Sequence, residues 1–337
     1  MTILGIETSC DETAVAVVEN GIKILSNVVA SSESLHQKTG GIIPEVAARQ
    51  QIRWIIPVIN EAIKQKKRKV IDALAVTVGP GLIGSLLVGV ETARTLAYVW
   101  QKPIIPVNHL QAHLYANWLE QSPPRFPLVG LIVSGGHTDL ILMKNHHQIL
   151  WLGGTRDDAA GECFDKTARI LGLGYPGGPA IEKTARLAKK KCSAFQNLSL
   201  PRPMIKKKNY DFSFSGLKTA VFYRMTKIRK KEKKVIALMA REIEEAIVEV
   251  LVNKTLRAAR EFRVKSVALS GGVAANSLLR LKMKEACLKL RIPFFVPSKK
   301  FCTDNAAMIA ARAYFHPQPH PWQKIKANPS LRIEEML

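Results

Sequence analysis

The chain has only five cysteines, Cys10, Cys163, Cys192, Cys287 and Cys302, an odd number with no C-x-x-C pair. This excludes a disulfide framework and a thiolate zinc site of ordinary spacing, and it suits a reducing compartment. Long apolar runs are missing too. The longest, Leu82 to Val90, is far short of the roughly 20 residues that span a bilayer, and no basic and apolar leader precedes the strand-like run at Ile3. A soluble, cytoplasmic protein without a membrane partner is expected. Acidic residues are also scarce, with 27 Asp+Glu against 50 Lys+Arg and a formal net charge of +23. That excess exceeds what solubility requires and points to polyanionic partners, nucleic acid first.

The 337 residues, 47% of them hydrophobic, suit two cores better than one. The pattern repeats. Ile3 to Thr8 and Thr13 to Val18 read as two strands around the polar loop Ser9-Cys10-Asp11-Glu12, and Leu128 to Val133 with Thr138 to Met143 repeat this around Ser134-Gly135-Gly136-His137. Asp72 to Val78 runs into Gly79-Pro80-Gly81 and a helix, as Lys265 to Ser270 runs into Gly271-Gly272-Val273 and another. A hairpin followed by a strand, glycine turn and helix in each half indicates an internal duplication of one α/β unit. Glycine turns that expose backbone N–H groups beside a helix start make anion pockets, so their recurrence suggests a phosphate-bearing ligand.

His109 and His113 stand four residues apart in Asn108-His109-Leu110-Gln111-Ala112-His113, which puts both rings on one face of a helix. A histidine pair alone is compatible with a buried structural pair. Far downstream, however, Cys302-Thr303-Asp304-Asn305 opens the helix-like run Ala306 to Tyr314 and places an aspartate at a helix start, and the three side chains together suit a transition metal. Zinc peptidases with this spacing carry a glutamate directly after the first histidine as general base. Leu110 occupies that position here, so peptidase-type hydrolysis lacks its base and a metal would act as Lewis acid and template.

Ile43-Pro44 to Ala62 reads as an amphipathic helix with a charged tail at Lys64 to Lys69. Asp157 to Lys166 reads as a helix-forming run with four carboxylates, of which Asp165 lies just before the Tyr175-Pro176-Gly177-Gly178-Pro179 turn. From Lys189 to Lys234 the lysine clusters 189–191, 206–208 and 227–234 surround Asn209-Tyr210-Asp211-Phe212-Ser213-Phe214-Ser215-Gly216-Leu217-Lys218. Basic clusters interleaved with aromatics fit a tracked phosphate backbone. Glu242 to Arg260 reads as a regular helix.

Taken together, Gly5-Ile6-Glu7-Thr8-Ser9-Cys10-Asp11-Glu12-Thr13, Gly79-Pro80-Gly81-Leu82, His109 to His113, Val133 to Thr138, Asp157 to Lys166, Tyr175 to Pro179, Asp211 to Lys218, Ser270 to Asn276 and Thr303-Asp304-Asn305 make the chain resemble the bacterial TsaD family over nearly its whole length. The resemblance implies an α/β actin, Hsp70 and sugar-kinase (ASKHA) fold with two duplicated RNase H-like domains around a nucleotide cleft. The expected division is residues 1–107, completed by 306–337, and residues 108–305 with the metal and adenylate site and a basic insertion over 189–234. The implied reaction moves the threonylcarbamoyl group of threonylcarbamoyl-adenylate to N6 of the adenosine just 3′ of the anticodon, in tRNAs reading codons that begin with A, with release of AMP. By the same resemblance His109, His113 and Asp304 are the ligands of one divalent metal, iron(II) before zinc(II). Ile132, Val133, Ser134, Gly135, Gly136, Asp165, Gly178, Glu182 and Asn276 are the contacts to the adenylate, or to ATP or AMP. Implied partners are tRNA, the paralogue TsaB, the ATPase TsaE and a TsaC/Sua-type synthase that supplies the adenylate. The chain departs from the family pattern at Gln51, where relatives usually have histidine, and at Cys163. An actin-like regulatory ATPase and a non-catalytic tRNA- or DNA-binding module are the alternatives, and neither needs the His-x-x-x-His pair.

Overall fold

The computed structural model describes residues 1–39, 41–64, 71–188, 199–228 and 232–335. Lys189 to Lys191, Gln65 to Lys69 of the charged tail and part of the 227–234 cluster lie outside the described residues. The chain divides into two compact units, one of residues 1–124, 146–148 and 297–337, the other of residues 125–145 and 149–296.

The first unit is built on strands β1 (Thr2–Glu7), β2 (Glu12–Glu19), β3 (Lys23–Ser31), β4 (Ala73–Gly79) and β5 (Ile104–Asn108), in the order β3-β2-β1-β4-β5. β1 runs antiparallel to β2 and parallel to β4. Its helices are α1 (Glu33–Thr39), α2 (Pro44–Lys64), α3 (Ile83–Trp100), α4 (His109–Tyr115) and, after the second unit, α10 (Ala306–Phe315). β1 and β4 are buried along their whole length, which is why they read as continuous apolar runs. Leu4, Ile6, Val15, Val17, Leu74 and Val76 pack with Ile55, Val58 and Ile59 of α2 and Val90, Ala93 and Ala97 of α3.

The alanine-rich α10 packs on β1. Gly5 makes this approach possible, because a Cβ there would stand 2.4 Å from the Ala306 carbonyl oxygen and 3.0 Å from Ala310 N. The start of α10, and Asp304 with it, is thereby set against the sheet.

The second unit repeats the plan. Strands β6 (Leu128–Val133), β7 (Thr138–Asn145), β8 (Gln148–Gly154), β9 (Ser266–Ser270) and β10 (Phe294–Phe295) are ordered β8-β7-β6-β9-β10, with β6 antiparallel to β7 and parallel to β9. Each strand has its counterpart in the first sheet, and β1, β2 and β4 match β6, β7 and β9 as the repeat predicts. The outer strands, β3 with β8 and β5 with β10, were not legible in the repeat. Helices α5 (Ala160–Ile170), α6 (Gly177–Ala185), α7 (Ser215–Lys227), α8 (Lys233–Glu261) and α9 (Ser277–Lys289) complete the unit. The carboxylate-rich run at Asp157 turns helical only at Ala160, because Asp157 is engaged elsewhere. Its oxygens accept the Phe214 and Ser215 N–H groups and the hydroxyls of Ser213 and Ser215, at 2.6 to 3.1 Å, and so cap α7.

The segment that precedes α7 is clamped to α8 by Lys254. This lysine is fully buried, its Nζ donating to the Asn209 carbonyl at 3.0 Å and standing 5.9 Å from the Phe212 ring centroid. Burial lowers its pKa from 10.5 to about 8. Below pH 8 the folded and unfolded states both hold the proton, and the desolvation cost is present in full. Between about 8 and 10.5 the unfolded chain binds more protons, so stability rises with pH. Lys254→Met is expected to keep or raise stability at pH 7 and to flatten that rise, which denaturant titrations at several pH values will show.

Candidate metal and adenylate sites

The two sets of residues singled out in the sequence stand on different units. The expected division placed His109, His113 and Asp304 in the second half, whereas the structure places all three in the first unit. The reason is local. α4 continues directly from β5 of the first sheet, and α10 returns to pack on both β1 and α4.

Asn108 starts α4 by accepting the Leu110 and Gln111 N–H groups at 3.0 and 3.3 Å, which fixes the helix on which His109 and His113 share a face. Asp304 lies one residue before the cap of α10. The cap itself is Asn305, whose side chain accepts the Met308 N–H at 3.2 Å. His109 Nε2 and His113 Nε2 lie 3.6 and 3.2 Å from Asp304 Oδ1, and one ligand atom from each residue falls within 4.8 Å of the others.

The residues fit a divalent ion on two further grounds. Both ring nitrogens of His113 are buried without a hydrogen-bond partner, a costly state that an ion at Nε2 relieves. His109 presents its other nitrogen, Nδ1, to Glu7 Oε2 at 3.1 Å and Ser9 Oγ at 3.2 Å, the arrangement that fixes the tautomer of a ligating imidazole. Glu7 is fully buried and also accepts from Thr77 Oγ1 and the Ser9 N–H, each at 2.5 Å. Burial alone raises its carboxyl, but His109 outweighs this and brings it below the usual range. Burial likewise lowers the His109 pKa, while Glu7 and Asp304 overcome it and hold the ring up at about 9. The role of Glu7 escaped the sequence reading. Its signal was a carboxylate inside an otherwise apolar strand, a position that demands a partner.

Gln51 acquires a role of its own. Its side chain is buried, and Nε2 donates to the carbonyls of Cys10 and Glu12, each at 3.0 Å, so it ties down the loop that follows Glu7. Leu110, at the peptidase base position, is buried apolar packing.

The adenylate candidates form a continuous arc within the second unit. Ile132 pairs with Ser270, so the loops at 134–137 and 271–276 leave adjacent strand ends. Ser134 O accepts the Gly161 N–H at 3.2 Å, which joins the first loop to the start of α5. From α5, Asp165 Oδ1 accepts the Gly177 N–H at 2.7 Å and anchors the start of α6, which carries Gly178 and Glu182. Asn276 Nδ2 donates to Glu244 Oε1 at 2.6 Å and lies 3.5 Å from Glu182 Oε2, while its Oδ1 caps α9 through the Leu279 N–H at 2.8 Å. Burial raises the carboxyls of both Asp165 and Glu244. Glu244 was not foreseen, being one acid among several on a long helix.

The glycine turns are not equivalent, contrary to the phosphate reading. Around Gly135, Gly136, Gly178 and Gly272 there is open space. The turn at Gly79 to Leu82 is closed by backbone: the Gly81 N–H is bonded to Pro329 O at 3.3 Å and the Leu82 N–H to Ser9 O at 2.8 Å. A turn whose amides already have partners cannot cradle an anion. The sequence did not show this because the partners lie far away in the chain.

Two five-stranded sheets of equal strand order define a protein of the ASKHA fold, and the His-His-Asp cluster on one unit could hold a metal ion. Solved structures agree on the fold. HypF from T. kodakarensis superposes with a TM-score of 0.62 at 16% identity, covering 93% of this chain and 47% of that one. Component A of the Acidaminococcus fermentans (R)-2-hydroxyglutaryl-CoA dehydratase gives 0.52 at 15%, covering 93% and 98%. The sequence is far closer to two curated tRNA N6-adenosine threonylcarbamoyltransferases. That of Syntrophomonas wolfei is 50% identical over 316 residues, covering 93% of this chain and 92% of the relative. That of Thermomicrobium roseum is 50% identical over 343 residues, covering 94% and 92%. The family model TsaD, tRNA N6-adenosine threonylcarbamoyltransferase, matches residues 23–311, and the chain belongs to this family. The family implies a divalent metal site. No helix among the described residues is long and apolar enough to cross a membrane.

Proposed function

We propose that the chain transfers the threonylcarbamoyl group of threonylcarbamoyl-adenylate to N6 of the tRNA adenosine just 3′ of the anticodon, releasing AMP. The observation that carries this reading is the membership of the family, joined to a His109, His113 and Asp304 cluster whose outer partner is the buried Glu7. The adenylate is a mixed anhydride and brings its own leaving group. The protein must therefore position a weak amine nucleophile and stabilise charge on the carbonyl and phosphate oxygens. The loops at 134–137 and 271–276 and the start of α6, open around Gly135, Gly136, Gly272 and Gly178, are assigned to the adenylate phosphate, with Asp165, Glu182 and Asn276 around its sugar and base. A bound divalent ion, iron(II) before zinc(II), supplies Lewis-acid charge. Glu7 accepts from Nδ1 of His109, so that Nε2, beside Asp304, is the nitrogen left to an ion once its proton is displaced.

α2 and α3 cross closely at Ala48 and Gly84, and they leave Ile52, Ile56, Ile83 and Leu87 exposed at helical spacing. Such a face suits a helical partner, which we assign to a TsaB-like paralogue, with TsaE and a TsaC-type synthase completing the system. Mass analysis of nucleosides from tRNA incubated with the protein, these partners and threonylcarbamoyl-adenylate tests the whole reading; the absence of modified adenosine would overturn it.

The exposed Lys206, Lys207 and Lys208 are assigned to the tRNA backbone. Neutralising all three is expected to lower tRNA affinity and to reduce the salt slope by about 2 in log–log units. An unchanged slope would place the basic footprint elsewhere.

A further inference from the structure

α7 presents an unusual outer face. Leu217, Val221 and Met225 are buried at i, i+4 and i+8, as an amphipathic helix requires. The opposite stripe carries Phe222 and Tyr223, 51% and 61% exposed, where polar residues would ordinarily stand. The two rings lie 5.8 Å apart at 69°. With Ile170, Lys218 and Thr219 they line a shallow, solvent-open hollow of about 310 Å³. Lys218 Nζ reaches Asp158 Oδ2 at 3.1 Å along one side, and Arg224 and Lys227 follow in the last turn.

The placement of the hollow adds to this. Asp157 caps α7 and leads directly into α5, whose first turn is bonded to Ser134 O, so α7, α5 and the Ser134 loop form one hydrogen-bonded group within the second unit. Phe222 stands about 10 Å along the helix from that cap, at 1.5 Å per residue.

We propose that this hollow receives an unpaired base of the tRNA anticodon loop, a neighbour of the adenosine that is modified, with Phe222 and Tyr223 as the stacking surface and Lys227 on an adjacent phosphate. The proposal rests on the tRNA reading above and names the part of the RNA that the protein grips. Loop bases present π faces and unpaired edges, whereas a duplex presents only backbone and grooves. An aromatic wall beside cations on a chain of net charge +23 complements single-stranded RNA and repels cationic partners.

The test compares binding of an anticodon stem-loop RNA with that of a blunt duplex made from the same stem, for wild type, Tyr223→Ala, Phe222→Ala with Tyr223→Ala, Tyr223→Phe and Lys227→Ala. The double variant is expected to lose about tenfold or more in stem-loop affinity and under about twofold for the duplex, with its salt slope unchanged. Tyr223→Phe retains binding. Lys227→Ala lowers the slope by about 0.7. In transfer assays the loss falls on KM for tRNA, with kcat retained. Since both aromatics are half exposed, Tyr223→Ala alone guards against a folding defect in the double variant, and its stem-loop loss must exceed its duplex loss. Equal losses on the two RNAs, or none, overturn the proposal. Unchanged RNA binding with an altered sedimentation mass would identify the face as a protein contact and overturn it as well. A wild type that binds the stem-loop but modifies no tRNA overturns the transferase reading and leaves the binding comparison to decide this one.

Discussion

His109→Ala is expected to abolish threonylcarbamoyl transfer to tRNA and to lower the metal content of the purified protein to a small fraction of wild type. The substitution removes one of the three candidate ligands and also leaves the fully buried Glu7 without the imidazole that stabilises its charge. His113→Ala, which leaves Glu7 and His109 in place, separates the two effects: it should lose metal and transfer with less damage to stability. Glu7→Gln keeps all three candidate ligands, yet it should weaken metal binding by about 10- to 100-fold, because Nδ1 of His109 loses its carboxylate acceptor. Elemental analysis and nucleoside mass analysis check these outcomes. Equal metal in wild type and His113→Ala would refute the ligand assignment. The pH dependence has a defined sign. Since His109 is held up at about 9, an ion competes with a proton below that pH. Metal affinity should therefore rise with pH toward about 9 and fall by up to about tenfold per unit below it, as a metal titration at several pH values will show. Neither wild type nor Leu110→Glu should cleave a peptide library, since an activated anhydride needs no such base. Metal-dependent proteolysis that His109→Ala removes, without any tRNA modification, would reverse the reading.

The second large effect is expected far from any ligand. Gly5→Val places a branched side chain where even a Cβ would lie 2.4 Å from the Ala306 carbonyl oxygen, and backbone cannot move aside as a flexible side chain can. Overpacking of this kind costs about 3 kcal/mol. Relief requires α10 to lift from β1, and Asp304 stands just before that helix. The variant should therefore show a lower denaturation midpoint and reduced metal content together. A stability loss with full metal content would mean that the strain is relieved away from the start of α10.

Much of this protein was legible in its residues because the signals are local. The repeated hairpin and the strand, turn and helix of each half carry their own periodicity, so the duplicated architecture followed without a partner for any strand. The His109 and His113 pair needs only a helix to share a face, and Asn108 supplies the cap that makes one. Tertiary structure alone decided the rest, where a residue's meaning depends on chain far away. The Gly79 turn has the composition of an anion pocket, yet its amides are bonded to Pro329 and Ser9. Asp157 looks like part of a solvated acidic helix, yet it caps a helix 58 residues on. Glu7 is one acid in a strand until Thr77 and His109 meet it in the buried interior. Periodicity reports which face of an element is buried; only the assembled fold determines which polar groups meet there, because a desolvated charge takes its role from the partners that satisfy it.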